Sequence, residues 1–184
     1  VQIALDMWHA FRIPFAIILA QAILETSWGK SILIKAANNW FGIKYAHRQG
    51  AEDYGEFDCR TWEMIDGQKK EMLAAFQKFP NTHDCFSAHS LLLLRNACVV
   101  KAIPQGWQAV AVALGPWTDQ DRAFMKRGIQ PDHANYSTNG AYPERLGALV
   151  RELHLDDQRF VEELAANSGS LTPKPESRDK EHKQ

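Results

Sequence analysis

No run of apolar residues in this 184-residue chain approaches the roughly 18–20 needed to cross a bilayer. The longest, IPFAIILAQAIL, is shorter and leads into Glu25, so no membrane insertion is expected. An excess of one charge is missing as well: 21 Lys and Arg stand against 22 Asp and Glu, a formal net charge of −1. A nucleic-acid binder would show a basic stripe, and there is none. Cysteine is scarce. Cys59, Cys85 and Cys98 are too few for a disulfide scaffold, and their wide spacing fits no zinc pattern. One bonded pair in an oxidising compartment and three buried free thiols are both compatible with them. The seven histidines are scattered, without acids at metal-ligand spacing, so neither a metal nor another cofactor is expected. His89, on a Leu-rich stretch, reads as a satisfied core group. SWGKS lacks the glycine spacing and preceding strand of a phosphate loop, and no Ser lies in a nucleophile elbow. The chain opens on VQIALDMWHAF, with no initiator Met and a helical pattern already under way. A trimmed or mature fragment is expected, and the want of a targeting segment carries no information.

What is present is the balance of an ordinary soluble globular chain, 45% apolar and 23% charged. The length suffices for one domain with a core and is too little for two. Six segments carry helical patterning, at 2–11, 15–28, 86–102, 106–114, 142–154 and 156–166. Pro14 closes the first, Gly29 ends the second, and Pro143 stands near the first turn of the fifth. NNWFGIK and RQGAEDYGEF read as loops, and a Pro-containing loop spans 116–135. Asp66-Gly67, between two short runs in TWEMIDGQKKEMLAAF, is a hairpin signal. The expected fold is mostly α (α+β), a helical body with one small β-hairpin lobe. Residues 1–166 form the domain, and the polar, Pro-containing 167–184 reads as a disordered tail or linker. No internal repeat is visible.

One acid stands where an acid is least expected. In AQAILETSWGKS, Gln21, Glu25 and Trp28 lie at i, i+4 and i+7 on one helix face. Ala22, Ile23 and Leu24 leave little polar surface around Glu25. Most helical glutamates are solvated surface groups. Apolar walls and an indole disfavour the charged form of this one, which raises its pKa toward the range of a general acid. A carboxyl protonated near neutral pH can donate to a leaving oxygen, as glycosidic cleavage requires. Such cleavage uses a second group across the substrate. Glu63 lies on a strand in TWEMI, where Thr61, Glu63 and Ile65 alternate with Trp62 and Met64. By position alone Glu52, Asp53, Glu56 and Asp58 are candidates too. NNWFGIK supplies amides for sugar hydroxyls, two aromatic faces for stacking, and a glycine that admits close backbone approach. One of Trp40 and Phe41 is expected in the core and the other in a cleft.

Four motifs, in order, are AQAILETSWGKS, NNWFGIK, TWEMIDGQKKEMLAAFQKF and YSTNGAYPERLGALV. Any one alone is weak. Together, over about residues 10–155, the chain resembles glycoside hydrolase family 73. These are the β-N-acetylglucosaminidase domains of bacterial autolysins and flagellar peptidoglycan hydrolases. The resemblance implies a lysozyme-like fold, with a helical lobe and a β-lobe flanking a groove. It implies as substrate the glycan strands of peptidoglycan, cut after N-acetylglucosamine. By the same resemblance Glu25 is the general acid, Glu63 the second carboxylate and Tyr136 the active-site tyrosine. Gln21, Trp28, Asn39, Trp40, Phe41 and Tyr142 are the expected substrate-binding residues. A monomer is expected, as one module of a longer chain exported to the cell envelope by a signal outside this sequence. Three departures stand out: Thr26 where the family usually has Ser, a longer segment at 115–135, and Ala88 where an Asp often precedes the histidine, so that this chain either lacks that Asp or uses Asp84 instead. The rival readings are a lytic transglycosylase and a non-catalytic glycan-binding module. Glu63 and NNWFGIK argue against the first, and Glu25 within its intact motif argues against the second.

Overall fold

The computed structural model describes residues 1–46, 54–65, 68–137 and 139–168, with residues 63–65, 69, 158, 164, 165, 167 and 168 described by their backbone alone. The elements run α1 (Gln2–Phe11), α2 (Phe15–Thr26), α3 (Ile32–Ala37), β1 (Glu56–Ile65), β2 (Gln68–Gln77), α4 (Thr82–Leu94), α5 (Ala97–Ala102), α6 (Trp107–Ala113), α7 (Asp119–Lys126), α8 (Tyr142–Glu152) and α9 (Gln158–Ser168). A 3-10 turn, Ile103–Gln105, joins α5 to α6.

The body is built around α2. Its sequence is apolar on every side, and a helix of that kind must be enclosed on every side. It packs on α1, α6 and α8, and Ile17 and Ile18 are fully buried. Each such side chain contributes about 1.5–3 kcal/mol of hydrophobic stabilisation. Phe15, Ala16, Ala20 and Ala22 complete the buried surface, and with them goes one amide, Gln21. No single helix among the described residues is long and apolar enough to cross a membrane.

The second lobe is the antiparallel pair β1–β2, in register from Glu56 opposite Gln77 to Ile65 opposite Gln68. It begins five residues before the run at Thr61 that marks it in the sequence, and its Asp66-Gly67 turn lies outside the described residues. Residues 43–45 run beside β2: the Tyr45 N–H donates to Ala75 O and the Gln77 N–H to Ile43 O, both at 2.9 Å. Phe76, at the base of the hairpin, is buried.

Three expectations are corrected. The helix read at 86–102 is two, α4 and α5, whose axes meet at 90°. It also starts four residues earlier, because the Asn81 side chain caps it by accepting from the Asp84 N–H at 2.9 Å. Asn96 supplies the break, its amide donating to Leu92 O at 3.1 Å. Short α3, hidden between motifs, is capped by Ser31. The loop read at 116–135 contains α7, which a capping box between Thr118 and Asp121 starts. The three cysteines are free; Cys85 is buried, and Cys59 and Cys98 are half-buried. The tail beyond Ser168 lies outside the described residues.

Asp121 organises the segment around α7. Its buried carboxylate accepts from the Thr118 N–H and hydroxyl, the Asp132 and His133 N–H groups, and His133 Nδ1 at 2.8 Å. Burial alone would raise its pKa; the bonds from Thr118, His133 and Asp132 outweigh it and hold the carboxyl well below the usual range. Asp121→Ala should lower stability to urea by about 2 kcal/mol or more. Because the folded pKa is depressed, that contribution is present above the ordinary value of 3.8 and is lost as pH falls through the folded one. Urea titrations of both proteins should therefore converge in strong acid.

Candidate active site

The last turn of α2 carries Glu25 to the surface of the helical body. Opposite it, α8 places Tyr142, whose hydroxyl donates to Glu25 Oε1 at 2.8 Å and accepts from Gln21 Nε2 at 3.1 Å. Gln21 is fully buried and Tyr142 nearly so, so this chain runs from the core outward to an acid with an open side. Loss of solvent raises the Glu25 pKa above its ordinary 4.5; the Tyr142 hydrogen bond and the nearby charge of Arg145 pull it part of the way back. Arg145, three residues after Tyr142 on α8, is a member of the site that sequence reading missed. Its i, i+3 spacing from Tyr142 in YPERL was the available signal.

Beyond Glu25 the helix stops abruptly. Ser27, Trp28 and Gly29 all have left-handed backbones, with φ of 50°, 62° and 75°. Only the glycine adopts that conformation without steric cost. The turn is held by the Trp28 N–H on Ile23 O at 3.0 Å and the Lys30 N–H on Thr26 O at 2.9 Å. The Thr26 hydroxyl adds a clamp, donating to Ala22 O at 2.6 Å and accepting from the Gly29 N–H at 2.8 Å. A serine hydroxyl could make the same pair of bonds, which accounts for the Thr26 departure. The turn also corrects the expected face: Trp28 is off the helix and 58% exposed. It borders a groove of about 370 Å³ with Ile23, Leu24, Arg145, Leu149 and Glu152.

Tyr136 lies beside Tyr142, ring centroids 5.7 Å apart. Its phenol pKa is pushed far up by burial first and by the Glu25 charge second. The long 115–135 segment delivers it under tight control. The Ala134 N–H bonds Ala113 O at 2.6 Å, the Asn135 N–H bonds Gly115 O at 3.1 Å, and Trp117 Nε1 bonds His133 O at 2.9 Å. A Cβ on Gly115, just past the end of α6, would meet Val112 O at 3.0 Å and Pro143 Cγ at 3.3 Å, so a larger residue would crowd the start of the segment.

NNWFGIK turns out to be a fastener between lobes. Asn39, 1% exposed, spends its amide internally, donating to Ile43 O and Gln77 O at 2.9 Å and accepting from the Ile43 N–H at 3.0 Å. Asn38 donates to Phe79 O at 3.0 Å. Phe41 is the core member of the aromatic pair, stacked on His89. Trp40 is half-buried, edge-on to Phe86 at 5.8 Å. Of the residues expected to bind substrate, Trp28 and Trp40 therefore keep open surface, while Gln21, Asn39, Phe41 and Tyr142 are buried beneath the site and hold it. Asp84 bonds Asn81 at the start of α4 and does not reach His89. Glu63 pairs by its backbone with Lys70, and its side chain lies outside the described residues; it shares strand parity with Phe57, whose partner is the buried Phe76. Among the described residues, no group of three or more His, Cys, Asp or Glu side chains converges to hold a metal.

The sequence profile of the glucosaminidase family, described as mannosyl-glycoprotein endo-beta-N-acetylglucosaminidase, matches residues 1–155. The chain belongs to this family of glycoside hydrolases. Exo-glucosaminidase LytG of Bacillus subtilis is 30% identical over 151 residues, 82% of this chain and 48% of LytG. Peptidoglycan hydrolase FlgJ of Salmonella typhimurium is 25% identical over 164 residues, 86% of this chain and 46% of FlgJ. The chain thus spans about half the length of these relatives. The catalytic domain of the autolysin Auto from Listeria monocytogenes superposes with a TM-score of 0.61 at 22% identity, covering 86% of this chain and 81% of that one. The helical body with its two-stranded lobe is the glucosaminidase fold.

In this glucosaminidase domain, Tyr142→Phe removes a hydrogen bond that favours the Glu25 carboxylate. The Glu25 titration, followed through its side-chain carboxyl by 13C NMR, should move to higher pH. An unchanged or lower midpoint would contradict the assigned role of Tyr142.

Proposed function

We propose that this domain hydrolyses the β-1,4 bond following N-acetylglucosamine in the glycan strands of peptidoglycan, with Glu25 as the general acid. The observation that carries the reading is the placement of Glu25, exposed at the last turn of α2 with its carboxyl held by Tyr142 beside Tyr136; partial loss of solvent raises its pKa. The four ordered motifs and the names of the relatives support the substrate class. The domain acts as a monomeric module of a longer chain in the bacterial cell envelope.

Glu25 gives its proton to the glycosidic oxygen as positive charge develops at the anomeric carbon. The bond to the leaving sugar breaks, and that sugar departs as an alcohol. Two routes then deliver water. In the first, Glu63 takes a proton from a water that attacks with inversion, which places the two carboxyls roughly 6.5–9.5 Å apart. In the second, the substrate's acetamido oxygen attacks, Tyr136 or Glu63 stabilises the ring so formed, and water opens it. The hairpin carrying Glu63 is a two-stranded lobe, and its closure on substrate completes the site.

Mass spectrometry of digested peptidoglycan tests the proposal. Reducing-end N-acetylglucosamine is the expected product; anhydromuramic ends would make the domain a lytic transglycosylase, and no release would make it a binding module. Glu25→Gln should slow release by about 100-fold or more while leaving the circular dichroism spectrum unchanged. Near-wild-type clearing of walls by this variant would contradict the assignment. Glu63→Gln should cost as much if Glu63 is the base, and less if the acetamido group attacks.

A further inference from the structure

Among the buried titratable groups that the proposed chemistry leaves unused, one lies against Tyr136. His89, on α4, is fully enclosed, with Nε2 3.3 Å from the Tyr136 hydroxyl oxygen. Its ring stacks face to face on Phe41, centroids 3.6 Å apart and planes within 8°, and meets Tyr136 edge-on at 5.8 Å. Its second nitrogen, Nδ1, is buried and has no hydrogen-bond partner among the described residues. Burial pushes the pKa of His89 down to about 3, so the ring is neutral and carries one proton.

That proton has two possible homes with different consequences. On Nδ1, it would leave a buried N–H donor orphaned, and the Tyr136 hydroxyl would have to give its own proton inward to Nε2. On Nε2, the one ring donor is paired with the Tyr136 oxygen and only a lone pair goes unused. Orphaned buried donors are rarer and costlier than spare lone pairs, so the second arrangement wins. Tyr136 then accepts from below, and its own proton is free to point outward. Tyr142, 5.7 Å away, has the same arrangement in explicit form: Gln21 Nε2 donates into its oxygen, and its proton goes to Glu25. Phe41 supports this by holding the imidazole in plane.

We infer that His89 is a positioning residue, which as the neutral Nε2–H tautomer donates to Tyr136 and aims the phenolic proton at the reacting centre beside Glu25. The inference rests on the proposal that Tyr136 meets substrate. It gives the buried Phe41 of NNWFGIK and the histidine of SAHSLLLL a shared task.

The test uses rates of release from purified peptidoglycan by the whole chain. His89→Phe keeps a flat ring on Phe41 and removes the donor; it should lower kcat about 10-fold with KM within about twofold. Placed in a Tyr136→Phe background it should cost nothing further, since its route runs through that hydroxyl. His89→Gln, whose amide can donate, should recover part of the rate. A wild-type rate for His89→Phe, or the same loss in both backgrounds, overturns the inference and leaves the proposed function standing. Wild-type rates for Tyr136→Phe instead overturn the reading of Tyr136 itself. Independently of any variant, long-range 1H–15N spectra of the wild-type protein should show the Nε2–H tautomer, unchanged from about pH 5 to about pH 8. The Nδ1–H tautomer, or a ring that charges in that range, overturns the inference.

Discussion

The hydrogen bond from Tyr142 to Glu25 is where core and chemistry meet. It requires α8 packed on α2 so that a phenol from one helix reaches a carboxylate on the other. It also requires a buried amide, Gln21, to occupy the phenol oxygen from below. Two effects compete at Glu25. Loss of solvent favours the neutral acid, while the phenol and Arg145 favour the carboxylate, and the first is the larger. A carboxyl left wholly in apolar surroundings would be held rigidly neutral. One fully solvated would be ionised at neutral pH. The opposed terms suit the general-acid role proposed for Glu25, which requires a group that both gives and regains a proton.

Much that surrounds the acid exists to hold geometry rather than to touch a ligand. Three consecutive left-handed residues end α2, and strained backbone of this kind persists only where neighbours over-determine it. Here the Thr26 hydroxyl and the returning N–H groups do so. Asn38 and Asn39 fasten the connection between lobes, and Asp121 closes a segment that would otherwise be a long loop in front of Tyr136. The hairpin lobe is tied at its base, through Phe76 and residues 43–45.

The core was readable because α2 is apolar on all sides and its boundaries are punctuated by Pro14 and Gly29. Glu25 was readable for the same reason, as the one charge interrupting that surface. The last residues of α2 were not, because the turn at Ser27, two residues before Gly29, depends on hydrogen bonds that no periodicity encodes. Composition made the asparagines and Phe41 look like a sugar-binding set, whereas their contacts are almost wholly internal. An amide that can bond a sugar can equally bond a carbonyl, and residue type alone does not choose. Helix α7 was missed although Thr118 and Asp121 carry a capping signal, because neighbouring Pro and Gly residues read as loop. The role of Arg145 needed the packing of α8 on α2 before its spacing meant anything.

The central claim is that Glu25 is held toward its protonated form by its setting. It is tested most directly by titrating the Glu25 side-chain carboxyl in the wild-type protein by 13C NMR. The account predicts a midpoint above the ordinary glutamate value of 4.5; a midpoint at or below that value would contradict it.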